Sequence, residues 1–265
     1  MYEHLLPHHR ATIEKVTDYF RADPCFRALI IGGSVVKGLA RPDSDVDILL
    51  VTTDDEYARL SLHHDLTFYR DDLSTYEGGF VDGKFINHAF LLDAADRGSE
   101  PTRWSFKDAI VAFSDIPDLE ATIKTIPQYQ IAEQQTKIRS FYGQFFIMHY
   151  FAEEAHKRGN PYLMTKATAD LVLYGSRLIL AHNRMLYPFH KWMMSEVARA
   201  PEKPENFIAL TDALLQSPTL DNAEAYYQAV INFRDWGVTH RQGVNAFTED
   251  SERAWLTGRP ALADW

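Results

Sequence analysis

Residues 30–49 of the chain read IIGGSVVKGLARPDSDVDIL, and this stretch decides the fold that we predict. An apolar run of strand length, residues 28–31, enters two glycines, which permit a tight turn and close approach of a ligand to the backbone. Ser34 follows and is predicted to open a helix. The free N–H groups at a helix start, together with a hydroxyl, suit a phosphate.

A pair of aspartates, Asp45 and Asp47, follows the turn in the sequence. Ten residues separate Ser34 from Asp45, and Asp45 and Asp47 stand at the start of a second apolar run, residues 46–51. Side chains two apart on a strand project from the same face, so the two carboxylates repel each other unless a cation joins them. Mg²⁺ is the natural candidate, because it combines carboxylate ligands with phosphate oxygens of a substrate. A Gly-Gly-Ser turn or an acidic loop alone is common, but the combination between two strands predicts a nucleotide site.

The rest of the first lobe alternates helical and strand patterns. We predict an opening helix over residues 4–20, a third strand over 66–69, a hairpin over 80–86 that turns at Asp82-Gly83, and a last strand over 109–113. The strand signals stop at Ser114 to Pro117, which predicts a domain boundary at residue 116.

Residues 117–265 read almost entirely as helices with short polar breaks. The pattern predicts helices over residues 130–157, 162–186, 189–199, 204–215 and 223–236. Together the two parts predict an α+β protein: a domain of residues 1–116 with a sheet flanked by helices, followed by a helical bundle of residues 117–265.

Composition narrows the classes of protein. The chain has 265 residues, 46% of them hydrophobic, and a formal net charge of −10. This charge disfavours nucleic acid as a partner and fits a cationic small molecule better. No apolar run reaches the length of a membrane span, and the single cysteine and the N-terminal residues predict a cytoplasmic protein. The histidines lack zinc-site spacing, so a zinc centre is not expected.

Gly33-Ser34 followed by Asp45-x-Asp47 resembles the signature of the DNA polymerase β-like nucleotidyltransferases, and within them the small bacterial antibiotic adenylyltransferases of the streptomycin/spectinomycin group. The motif covers about twenty residues. The resemblance implies a nucleotidyltransferase lobe with a mixed sheet, ATP as the donor, and Mg²⁺ held by Asp45 and Asp47. It also implies Ser34 and Ser44 on the phosphates, and transfer of AMP to a hydroxyl of a small molecule. The helical lobe in such enzymes closes over the substrate.

Active members of the family add a third acidic residue from a later strand. We predict that strand over residues 85–91, where the matching position carries Asn87. An amide cannot accept a proton as a carboxylate can, so Asn87 opens the alternative of a catalytically silent nucleotide-binding or antitoxin-like module. Glu77, Glu100 or a carboxylate of the helical lobe could substitute. A protein-modifying adenylyltransferase is a further alternative that shares the chemistry.

The helical lobe offers basic residues for the nucleotide. Arg184 and Lys191 are seven apart, so helical spacing places them on one face, from which both could grip a triphosphate. The competing interpretation is that Lys191 is simply solvated and does not contact the phosphates. The acidic and aromatic tail, residues 248–265, could dock on the body or form a wall for a cationic acceptor. Arg177 and His182 loosely match the Arg-x4-His of helical ribonuclease toxins of the HEPN type, a weaker alternative.

Overall fold

The computed structural model of the chain describes residues 5–256 and residue 258, and it divides the protein into two compact units, Met1–Gln128 and Tyr129–Trp265. The elements of the first unit are α1 (Pro7–Arg21), β1 (Phe26–Ile31), α2 (Gly33–Val36), β2 (Val46–Thr52), α3 (Asp54–Leu62), β3 (Thr67–Arg70), β4 (Val81–Ile86), α4 (His88–Arg97), α5 (Glu100–Ser105), β5 (Ile110–Ser114) and α6 (Leu119–Thr125). Helix α6 lies beyond residue 116, so the first unit is longer than the predicted domain.

Five strands of the first unit form one mixed sheet in the order β3-β4-β2-β1-β5. The pair β2–β4 is parallel, whereas β1–β2, β1–β5 and β3–β4 are antiparallel. A parallel pair needs a crossover connection, which here consists of residues 53–80 with helix α3 and strand β3.

Both faces of the sheet are covered because side chains of a strand alternate between its two sides. Leu29 and Ile31 of β1 belong to a buried cluster with residues of α1. Ala28 and Ile30 belong to a second cluster, with residues of α4 and α6. Asp47 alternates with Ile48, which packs in the α1 cluster, so the Asp47 side chain lies on the other face of the sheet.

The second unit is helical. Its described elements are α7 (Gln134–Arg158), α8 (Pro161–His182), α9 (Met193–Arg199), α10 (Phe207–Gln216), α11 (Leu220–Ile231) and α12 (His240–Phe247), with 3₁₀ helices at Ile131–Glu133, His190–Trp192 and Ala254–Leu256 and a short π-helix at Thr248–Glu252. One large buried cluster joins α7, α8 and α11 through residues such as Phe145, Leu171 and Tyr226. The predicted α+β fold class with a C-terminal helical part is confirmed.

Candidate functional site

The turn after β1 is fixed to the neighbouring strand. The Gly32 amide donates to the Asp47 carbonyl over 3.0 Å, and the short helix α2 then begins at Gly33. Ser34 is buried, with 8% of its surface exposed. The strand, the two glycines and the helix start therefore lie as the sequence predicts, directly beside the aspartate strand β2.

Gly33 has φ of +67°, in the left-handed region, and it faces the Asp47 carboxylate. A Cβ atom added to Gly33 would lie 1.6 Å from Asp47 Oδ2. The backbone of the turn and this carboxylate thus approach more closely than any side chain at position 33 would allow. An anion bound at the turn would lie next to the Asp47 carboxylate, an arrangement that a bound cation would stabilise.

Three carboxylates meet at this end of the sheet. Asp45 directly precedes β2, Asp47 lies in β2, and Asp82 lies opposite Asp47 in the parallel strand β4. One ligand atom from each of the three lies within 4.8 Å of the others. Mg²⁺ binds oxygen ligands at about 2.0–2.1 Å in octahedral geometry, so neighbouring ligands are about 3 Å apart and opposite ligands about 4 Å apart, and the three carboxylates would draw together around a bound ion.

The assignment of Asp82 to a hairpin turn was wrong. Residues 81–86 form one continuous strand, and Gly83 lies opposite Ile48 of β2. A Cβ at Gly83 would come within 2.4 Å of the Ile48 carbonyl oxygen, so the glycine permits close pairing of the two strands. The Asp-Gly pair, which favours turns, here serves a strand instead.

Asn87 does not join the aspartates, and the predicted strand over 85–91 is wrong. Asn87 is the N-cap of α4: its Oδ1 accepts from the Phe90 amide over 3.0 Å, and its Nδ2 donates to Asp54 over 3.0 Å. The third acidic position next to Asp45 and Asp47 belongs to Asp82. Sequence reasoning missed it, although the run from Val81 to Ile86 carried a strand signal around the aspartate.

The loop before Asp45 is held by residues of α1 and of the crossover. The Ser44 carbonyl accepts hydrogen bonds from His9 Nε2 at 3.1 Å and from the Tyr76 hydroxyl. Burial lowers the pKa of His9, which is fully buried. Burial, and after it the Asp45 and Asp43 carboxylates, raise the pKa of Tyr76. Both groups therefore stay uncharged near neutral pH and hold the loop as neutral hydrogen-bonding partners.

Ser44 was expected to contact the phosphates. Its Oγ accepts from the Arg41 amide over 2.9 Å, which closes the turn before the aspartates. The hydroxyl proton remains as a donor in that arrangement.

A pocket of about 240 Å³ lies beside the carboxylates, with Gly33, Asp47, Asp82, Lys37 and Lys84 among the residues that line it. Lys37 Nζ donates to the Ser105 carbonyl over 3.0 Å and lies 4.9 Å from the centre of the Trp104 ring. The two lysines supply positive charge in the first unit itself, and sequence reasoning missed both. Lys37 could have been found, because it stands three positions after Ser34 on the predicted helix.

Arg184 and Lys191 lie in the second unit but do not share a helix. Helix α8 ends at His182, Arg184 follows it with a φ of +54°, and Lys191 lies in a separate 3₁₀ helix. Arg184 Nε donates to Gln134 Oε1 over 3.3 Å. The prediction that the two residues share one helical face is therefore wrong. Their contact with phosphate stays a prediction.

Two polar residues on either side of Glu100 have structural roles. Arg103 is 2% exposed and donates to carbonyl oxygens that include those of Gly98, Ala95 and Ile126. Ser99 caps α5 by accepting from the Thr102 amide. Of the tail for which a docking or acceptor role is predicted, Thr257 and residues 259–265 lie outside the described residues.

Comparisons with known proteins found one matching family model and similar solved structures. Residues 13–89, from α1 to the start of α4, match the family model of the nucleotidyltransferase domain. No curated protein matches the chain. Among solved structures, the chain is similar to the crystal structure of a nucleotidyltransferase-like protein from Exiguobacterium sibiricum 255-15, with a TM-score of 0.50 and 12% identity over 92% of this chain and 80% of that one.

The matched segment contains the Gly33-Ser34 turn and all three aspartates. Together, the match and the structural similarity define the class of fold: an α+β protein of nucleotidyltransferase-like fold, in which residues 13–89 match the model of the nucleotidyltransferase domain. Within the described residues, none of the helices has both the length and the apolar character needed to cross a membrane.

Proposed function

We propose that the protein transfers a nucleoside monophosphate, AMP from ATP, to a hydroxyl group of a small molecule in a magnesium-dependent reaction. One observation carries the proposal: three carboxylates lie within 4.8 Å of one another beside the Gly33-Ser34 turn. Phosphoryl chemistry depends mainly on positioning and on compensation of charge, and this arrangement offers both.

Asp45, Asp47 and Asp82 would hold Mg²⁺, which when bound compensates charge on the phosphates and on the departing pyrophosphate. The backbone N–H groups at Gly33 and Ser34 bind phosphate oxygens. Lys37 and Lys84 add positive charge around the triphosphate. The same residues thus fix the α-phosphorus in front of the carboxylates.

Asp82 is the proposed general base. The acceptor hydroxyl oxygen forms a bond to the α-phosphorus, the bond from that phosphorus to the bridging oxygen breaks, and pyrophosphate leaves. The hydroxyl proton passes to the Asp82 carboxylate. The silent-module alternative depended on an amide in the third position, and the carboxylate of Asp82 near Asp45 and Asp47 supports an active enzyme instead.

The first experiment measures ATP binding by calorimetry with and without magnesium. We expect magnesium to strengthen binding, and Asp45→Asn, Asp47→Asn and Asp82→Asn each to weaken magnesium-dependent binding by about tenfold or more. Asp43→Asn is the matched control, because Asp43 lies in the same loop but pairs with Arg41 and stands outside the three. Equal affinity with and without magnesium in the wild type would contradict the site.

The second experiment follows transfer of label from α-labelled ATP to hydroxylated small molecules. We expect Asp82→Asn to lower the rate by roughly 10²- to 10⁴-fold, as loss of a positioned base does. An Asp82→Asn variant as active as the wild type would place the base elsewhere.

A further inference from the structure

Lys37 shares a pocket with carboxylates of the proposed metal site. Among the residues that line this pocket of about 240 Å³ are two acids, Asp47 and Asp82, and two lysines, Lys37 and Lys84. Because charges in so small a volume act strongly on one another, the lysines influence which ions the pocket accepts.

The position of Lys37 follows from the short helix α2. Lys37 directly follows this helix, four positions after Gly33 and three after Ser34. Side chains on a helix tilt toward its N-terminus, so the Lys37 side chain runs back toward the turn. Its Nζ donates to the Gly33 carbonyl over 3.4 Å, and Gly33 packs against the Asp47 carboxylate. The ammonium group is therefore near both the turn and a proposed metal ligand.

Two further contacts of Lys37 are ones that a nucleotide could replace. Its Nζ donates to the Ser105 carbonyl over 3.0 Å and lies 4.9 Å from the centre of the Trp104 ring. A hydrogen bond from an ammonium group to a charged phosphate oxygen is stronger than one to a neutral carbonyl. A triphosphate bound at the turn would therefore compete with Ser105 for Lys37.

The two lysines of the pocket differ in how strongly water screens their charges. Lys37 is half-buried, whereas Lys84 is exposed on strand β4. Salt and water screen an exposed charge much more than a partly buried one. Of the two lysines, Lys37 therefore has the larger effect on an ion that binds in the pocket.

The balance of charge depends on which ligands are bound. A magnesium ion that binds alone is repelled by the Lys37 ammonium group, and a triphosphate that binds alone is repelled by the carboxylates. With both ligands bound, the carboxylates and the phosphates share the metal ion, and Lys37 gains the phosphates as partners. Each positive charge then has a negative neighbour, so the two ligands together are favoured over either one.

We propose that Lys37 couples the binding of the two ligands: its ammonium group opposes magnesium that binds alone and favours magnesium that binds together with a triphosphate. The inference rests on the proposed function and adds the residue through which metal and nucleotide strengthen each other's binding. Such coupling is reciprocal, so the factor by which ATP strengthens magnesium binding equals the factor by which magnesium strengthens ATP binding.

Calorimetry on the whole protein tests the coupling through three dissociation constants. They are those of magnesium alone, of a non-hydrolysable ATP analogue with a chelator present, and of the analogue with saturating magnesium. In the wild type, magnesium should strengthen binding of the analogue about tenfold or more. Lys37→Met keeps the length of the side chain and removes its charge. It should bind magnesium alone about threefold more tightly, and the analogue with magnesium about tenfold more weakly.

The opposite signs of these two changes distinguish coupling from a structural role, because damage to the turn would weaken both. Lys37→Arg keeps the charge and should retain both affinities within about twofold. Lys37→Gln is a second uncharged variant, should the methionine disturb the packing on Trp104. Lys124→Met is the charge-matched control, because Lys124 is an exposed lysine of the same unit that does not line this pocket. Circular dichroism checks that each variant is folded.

Failure of the inference and failure of the proposed function look different. If Lys37→Met and Lys37→Gln bind magnesium alone no more tightly than the wild type, or bind the analogue with magnesium equally well, the inference is overturned while magnesium-dependent ATP binding stands. Binding of ATP to the wild type that does not depend on magnesium instead contradicts the proposed function.

Discussion

At the scale of single residues, Gly33 combines a left-handed backbone with a close approach to Asp47. Gly38 has the same φ of +67°, yet no atom lies within 4 Å of a Cβ built on it. The two glycines therefore share the conformational requirement and differ only in the space around them. Substitution of each glycine therefore distinguishes the effect of backbone strain from the effect of a clash with the Asp47 carboxylate.

We expect Gly33→Ala to abolish magnesium-dependent ATP binding, because the added methyl group must displace the Asp47 carboxylate. Gly38→Ala should lose about 1 kcal/mol of stability, for the strained backbone alone, and should retain binding. Thermal unfolding and calorimetry measure the two effects. If Gly33→Ala bound ATP as the wild type does, the turn would not be part of the site.

A substitution at Asn87 tests whether residue 82 or residue 87 is the third acidic residue of the site. Asn87→Asp should give no gain in AMP transfer, because position 87 caps α4 away from Asp47 and Asp82. It should also lower thermal stability slightly, since the amide that donates to Asp54 is replaced by a like charge. Initial rates and melting curves measure both. A higher rate of transfer in Asn87→Asp would restore residue 87 as the third position.

At the scale of elements, the predictions that succeeded depended on local patterns. The apolar runs predicted β1 and β2 to within two residues of the observed bounds. The prediction at Asp82-Gly83 failed because an Asp-Gly pair suits a turn as well as a tightly paired strand. What distinguishes a turn from a strand here is that Gly83 lies opposite Ile48 on another strand. The local sequence around Gly83 carries no information about that pairing.

The loop that presents Asp45 is itself an element whose supports are testable. Tyr76→Phe removes one of the two side-chain donors to the Ser44 carbonyl. We expect it to weaken magnesium-dependent ATP binding about threefold to tenfold, because that change in affinity corresponds to the free energy of one hydrogen bond. Tyr19→Phe is the matched control, because that hydroxyl contacts Arg70 instead. Equal effects of the two variants would show that the hydroxyl of Tyr76 does not position the loop.

At the scale of the whole molecule, each unit has its own core. Two buried clusters lie within residues 5–126, and the third lies within residues 138–236. The proposed metal ligands and both lysines of the pocket belong to the first unit. We therefore expect a protein of residues 1–128 to fold alone and to bind magnesium.

Circular dichroism, dispersed NMR signals and magnesium titration of residues 1–128 measure this expectation. The matched control is the same fragment with Asp47→Asn, which should fold and bind magnesium more weakly. A collapsed fragment without dispersed signals would mean that the first core is insufficient without the rest of the chain.

The parallel pairing of β2 with β4 has a consequence for how such a protein diversifies. The crossover of residues 53–80 that this pairing requires contains helix α3, strand β3 and the loop that follows it. Strand register holds the aspartates in place, whereas a connection between strands tolerates changes of length and side chain. Under the proposed function, the crossover could change in length and sequence while the strands that carry Asp47 and Asp82 keep their register. Tyr76 is the exception within the crossover, because its hydroxyl holds the Ser44 carbonyl before Asp45.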